Sequence, residues 1–120
     1  MKDPNKANCK SLSGQFKRLL NERIVIMDGA MGSMLQTKNL TEEDFRGDLF
    51  PNHRIELRGC NDLLCLTQPN IVRDIHRNYL SAGADIIETN TFNSTRFSMA
   101  DYGLQTSVAE INRAGAALAR

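Results

Sequence analysis

The sequence has 120 residues, room for one domain of ordinary size, and its 41% hydrophobic content, with eight glycines besides, is that of a globular chain rather than a disordered one. Fifteen Lys and Arg against fourteen Asp and Glu leave a net charge of +1, so no bulk field recommends nucleic acid or an anionic membrane as a partner. Charges interrupt every apolar run well short of the roughly 18 residues that span a bilayer.

The start, Met1 to Asn8, is polar with no apolar segment behind it, which is unlike a secretory leader. Three cysteines, Cys9, Cys60 and Cys65, cannot all pair with one another. A cytoplasmic protein with free thiols is the expectation. After about ten frayed residues, Ser13 is placed to cap a short helix carrying Phe16, Leu19 and Leu20. Ile24-Val25-Ile26-Met27 is a β-branched run without helical period and predicts a short buried strand ending at Asp28. Gly29 to Leu35 then mixes glycines with good helix formers, so the chain turns and enters a helix. Residues 37–68 are the least regular portion, with a near capping box at Thr41-Glu42-Glu43-Asp44 and breakers at Gly47, Pro51 and Gly59.

From there the pattern sharpens. Thr67 as cap, Pro69 in the first turn and the face Ile71, Val72, Ile75, Tyr79 and Leu80 predict a helix over 69–82, stopped by Gly83. Asp85 to Phe92 begins as a second β-branched strand, and Val108, Ile111 and Leu118 mark a helix over 105–120. Strand, connection with helix, strand, helix is the order of an α/β protein with parallel strands, whose function lies at the carboxyl ends of those strands.

Asp28 and Glu88-Thr89-Asn90-Thr91-Phe92 stand at those ends. A fixed carboxylate beside unpaired backbone N–H groups suits a zwitterion such as an amino acid, the carboxylate taking the ammonium. Asp28 as a plain helix cap is the commoner use of that spacing. Met27, Met31 and Met34 form a stripe that suits core packing. Neither His53 nor His76 has a neighbour at ligand spacing, and Cys60 and Cys65 complete no tetrahedral set, so no metal site and no nucleophile with its base is read from these residues.

Three blocks carry a resemblance: Ile26 to Gln36 (IMDGAMGSMLQ), Gly59 to Leu64 (GCNDLL) and Ala82 to Thr95 (AGADIIETNTFNST). In order and spacing they resemble the N-terminal homocysteine-binding domain of the cobalamin-dependent methionine synthases, over about residues 20–120. The resemblance implies an α/β fold, a partial TIM (β/α)8 barrel of two strand–helix units behind an N-terminal helix, with a long connection after the first strand. Residues 1–22 would be a polar extension and short helix, and 23–120 a truncated barrel, since about 250 residues make a complete one.

It also implies the chemistry. Zinc, held by three cysteines, binds the homocysteine sulfur as thiolate, which takes a methyl group from methylcobalamin to give methionine, and methyltetrahydrofolate restores the cobalamin. Asp28 would bind the substrate ammonium, the backbone of Gly29, Ala30 and Met31 would lie near its carboxylate, and Asn90, Thr91 and Phe92 would line the same mouth. The zinc cysteines of that family match none of Cys9, Cys60 and Cys65, Ser33 replaces its usual Thr, and Cys60 its usual Asn. The expectation is therefore a chain inactive by itself, binding neither zinc nor cobalamin, with the folate-, cobalamin- and adenosylmethionine-binding modules absent here. A cobalamin-independent betaine or S-methylmethionine homocysteine methyltransferase, and a non-catalytic binding module, are the alternatives.

Overall fold

The computed structural model describes the backbone of residues 4–120 and the side chains of residues 12–120. Met1 to Asp3 and the side chain of Cys9 lie outside the described residues. Among the described residues seven α-helices occur in chain order: α1 (Pro4–Glu22), α2 (Met31–Gln36), α3 (Glu42–Arg46), α4 (Leu64–Thr67), α5 (Pro69–Ser81), α6 (Arg96–Met99) and α7 (Val108–Ala119). Short 3-10 turns lead into α4 and α7 and follow α6.

The expected α/β architecture is not what forms. Among the described residues there is no sheet, only an isolated parallel bridge between Met27 and Ile86, so the structure is not a partial (β/α)8 barrel. The two β-branched runs do meet in register, through Asp28 N–H to Ile86 O at 2.9 Å and Asp85 N–H and Ile86 N–H to Ile26 O at 2.7 and 3.2 Å. Pairing then stops, because a bare two-stranded contact buries too little to propagate. Ile24, Ile26 and Met27 are 86%, 54% and 52% exposed, which overturns the buried first strand. The expected second strand leaves the pairing at Ile86, runs on without regular structure to Thr89 and bends and turns from Asn90.

An ion pair clamps this contact. Arg23 Nη1 donates to Asp85 Oδ2 at 2.7 Å, and the same oxygen accepts from Ile26 N–H at 3.0 Å. These donors hold the Asp85 carboxyl down at about 2.

Helices make the core. Leu63, Leu64 of α4, Val72 and Ile75 of α5, Met99 of α6, Leu104 and, from α7, Ile111 are essentially inaccessible, with Leu57 from the loop before α4. Burying branched side chains of this size contributes about 1.5–3 kcal/mol each. Met31 and Met34 pack against that core, whereas the third member of the stripe, Met27, stays in solvent.

The stretch expected to be irregular is organised around Glu42. The predicted capping box closes: Thr41 Oγ1 accepts from Asp44 N–H at 3.3 Å, and Asp44 Oδ2 accepts from Thr41 N–H at 2.7 Å. That starts α3 and points Glu42 at the turn beyond, where it accepts from Leu57 N–H at 2.9 Å and Arg58 N–H at 2.6 Å and pairs with Arg46 at 2.8 Å. Two caps differ from expectation. Ser13 lies inside α1 rather than at its start, and Thr67 donates back to Leu63 O at 3.4 Å, leaving Gln68 as the uncapped start of α5. Pro69 does occupy the first turn, and Gly83, at φ 109°, ends α5 where only glycine turns readily.

Candidate functional site

The bridge at Met27 and Ile86 delivers two arms to one place. Asp28 follows on the first and Glu88 on the second, and they are tied directly, Asp28 Oδ2 accepting from Glu88 N–H at 3.0 Å. Behind the first arm stands Tyr79 of α5, whose hydroxyl donates to Ala30 O at 3.1 Å. A Cβ on Gly29 would come within 3.1 Å of that hydroxyl, so the absence of a side chain there is what lets the arm lie against α5.

The second arm folds into a run of turns. Thr89 and Thr91 join their hydroxyls at 2.7 Å, Thr91 N–H reaches Thr89 O at 2.9 Å, and Ser94 N–H reaches Thr91 O at 3.1 Å. Asn90 is buried and donates through Nδ2 to Asn61 O at 2.8 Å, while its own carbonyl accepts from Cys65 Sγ at 3.3 Å.

Between the arms and the 59–62 segment lies a cavity of about 450 Å³, a volume suited to a small metabolite. Six of the seven residues singled out from sequence line it: Asp28, Gly29, Ala30, Met31, Asn90 and Phe92. Phe92 sits at the rim, 92% exposed. Thr91 does not line the cavity; its methyl is directed at α7, where a Cβ on Gly115 would meet it at 2.5 Å. Sequence reasoning had assigned no role in this wall to Gly59, Asn61 or Asp62, nor to Asn93. Gly59, Asn61 and Asp62 lie in the GCNDLL block, whose short apolar stretch has no periodicity to place it, and Asn93 lies in the AGADIIETNTFNST block.

The wall contains three carboxylates, Asp28, Asp62 and Glu88, and no lysine, arginine or histidine. Chemically that is a receptor for a small ligand bearing positive charge. Asp28 uses one oxygen on Glu88 N–H, which leaves Oδ1 for such a ligand.

His76, near this site on α5, is a different matter. It is 2% exposed, neither ring nitrogen has a partner among the described residues, and burial pushes its pKa down although the Asp28 charge works the other way. Its nitrogens are sealed from the cavity, so it supplies no acid or base there.

The chain belongs to the homocysteine S-methyltransferase family, whose model matches residues 25–120. In coarse terms it is a homocysteine methyltransferase domain, and homocysteine is the substrate that the family implies. No described helix is long and apolar enough to cross a membrane.

The zinc implied by the sequence resemblance can be tested against the donors. Among the described residues no three His, Cys, Asp or Glu side chains, the three carboxylates of this wall included, stand close enough together to hold a metal ion. Burial pushes the thiols of Cys60 and Cys65 up to about 11, the opposite of what a zinc thiolate needs. Cys60 Sγ faces Met99 Sδ at 3.8 Å and Cys65 Sγ is spent on Asn90 O. The residues described here therefore do not fit a zinc ion.

Proposed function

We propose that the cavity between Asp28 and the 88–93 turns binds homocysteine, and that the chain is the substrate-binding portion of a cobalamin-dependent methionine synthase. The observation that carries the reading is the placement of Asp28, fixed by Glu88 N–H with one oxygen free, in a cavity whose charged wall is wholly acidic. In this reading the free oxygen of Asp28 takes the substrate ammonium, and the backbone of Gly29, Ala30 and Met31 faces the substrate carboxylate. Asn90 and Phe92 bound the side of the cavity along which the thiol-bearing chain lies.

The choice of cobalamin-dependent synthase over other methyl donors rests on the GCNDLL and AGADIIETNTFNST blocks. Methylcobalamin, recharged by methyltetrahydrofolate, would supply the methyl group that turns homocysteine into methionine. In this reading these residues bind and orient the amino acid.

Calorimetric titration of the chain with L-homocysteine tests the reading. Asp28→Asn keeps the shape and removes the charge, and is expected to weaken binding by about 1.5–3 kcal/mol, the range for a hydrogen bond to a charged group at this half-buried position. Equal affinity of variant and wild type, or no binding by either, would count against it.

A further inference from the structure

Asp62 is a carboxylate in a place that normally excludes one. It is 3% exposed, and no basic side chain pairs with it among the described residues. Desolvating such a group is costly unless hydrogen bonds to its charged form compensate. Two do, and both come from the second arm of the cavity: Asn93 N–H and Ser94 Oγ–H each donate to Asp62 Oδ2 at 2.7 Å.

One residue earlier, Asn61 O accepts from Asn90 Nδ2 at 2.8 Å. Consecutive residues thus grip both ends of the turn that carries Asn90 and Phe92. Ser94 passes the restraint on, its carbonyl accepting from Asn112 Nδ2 of α7 at 2.9 Å. Asp62 and its partner Asn93 line both the 450 Å³ cavity and a neighbouring one of about 210 Å³, so the anchored end of the turn has open space on two sides. Cys65 and Asn112 hold the turn from behind through the carbonyls of Asn90 and Ser94, and Asp62 anchors its Asn93–Ser94 end.

We propose that Asp62 is a positioning residue, which sets the 90–94 turn at the distance from Asp28 that the amino-acid ligand requires. The inference rests on the homocysteine reading of the cavity. It goes further in assigning affinity to a side chain that works through the turn, by charge-assisted hydrogen bonds rather than by touching the ligand.

The full chain is titrated with L-homocysteine as wild type, Asp62→Ala, Asp62→Asn and Ser94→Ala, while NMR follows exchange of the Asn93 amide. Asp62→Ala is expected to lose roughly tenfold or more in affinity together with protection of that amide. Asp62→Asn keeps an acceptor oxygen and recovers most of both, and Ser94→Ala falls between, which keeps the test available should Asp62→Ala fail to fold. Ile75→Ala, a core truncation in α5, is the comparison for loss of stability alone and leaves Asn93 protected.

Wild-type affinity in Asp62→Ala, or in Ser94→Ala where Asp62→Ala does not fold, overturns the inference while leaving the cavity reading intact. Absence of homocysteine binding by the wild type overturns the cavity reading. The Asn93 amide then decides the anchor alone, selective loss of its protection supporting it and unchanged protection overturning it.

Discussion

Cys60 and Cys65 show how little a residue type says without its surroundings. Both are 3% exposed or less, and desolvation of the thiolate raises both thiols to about 11. At pH 8 the reactive thiolate is then on the order of a thousandth of each population. Alkylation by iodoacetamide, followed by peptide mapping, is expected to leave these two unmodified in the folded chain and to label them once denaturant is added. Rapid labelling of either under native conditions would show that the packing around it opens. From sequence these thiols read as ordinary buried or surface cysteines, and Asp28, Asn90 and Phe92 could be picked out because local turn chemistry and the motif blocks mark them. Asp62 could not be: its role depends on a turn more than 30 residues away, and nothing local announces which backbone N–H a buried carboxylate will meet.

Helices α5 and α7 were legible because each carries its own evidence, an apolar face at spacings of three and four, with Pro69 at the start of the first and Gly83 past its end. The two extended segments were legible as β-branched runs but not as what they became. A strand is completed by its neighbours, and here each run has only the other, so pairing ends after one bridge. The clamp at that bridge is electrostatic and therefore sensitive to acid. Asp85 is held at about 2 by Arg23 and by Ile26 N–H, below the ordinary aspartate value of about 3.9. A carboxyl with a depressed folded-state pKa stabilises the fold above its unfolded value and loses that contribution as pH falls through the folded one. Glu42 behaves alike: burial opposes its ionisation, but Leu57 N–H, Arg58 N–H and Arg46 outweigh burial and lower its pKa. Thermal unfolding followed by circular dichroism is thus expected to show Tm falling between about pH 4 and pH 2. Asp85→Asn should lower Tm at pH 7 and flatten that fall. A variant with the wild-type slope would show that the Arg23 pair contributes nothing to the dependence.

At the scale of the whole molecule, α7 is coupled to the cavity from behind. The Thr91 methyl lies where a Cβ on Gly115 would stand, at 2.5 Å, with Cys65 Sγ 3.6 Å away. Gly115→Ala, which on helix propensity alone would stabilise α7, is expected instead to cost about 1–3 kcal/mol by overpacking. Thr91→Ser removes the methyl yet retains the hydroxyl that meets Thr89, and should recover most of that loss in the double variant. Chemical denaturation of the four proteins measures it, and strictly additive costs would rule out the contact as the cause. The same architecture has an optical consequence. The chain contains no tryptophan and two tyrosines; the Tyr79 hydroxyl lies behind Gly29 of the cavity wall, and Tyr102 lines the neighbouring cavity of about 210 Å³, its hydroxyl nearest to Gly59. Its near-ultraviolet emission therefore originates from two rings that each stand behind a glycine of the cavity wall, an unlabelled signal for shifts of the Gly29 and Gly59 backbone.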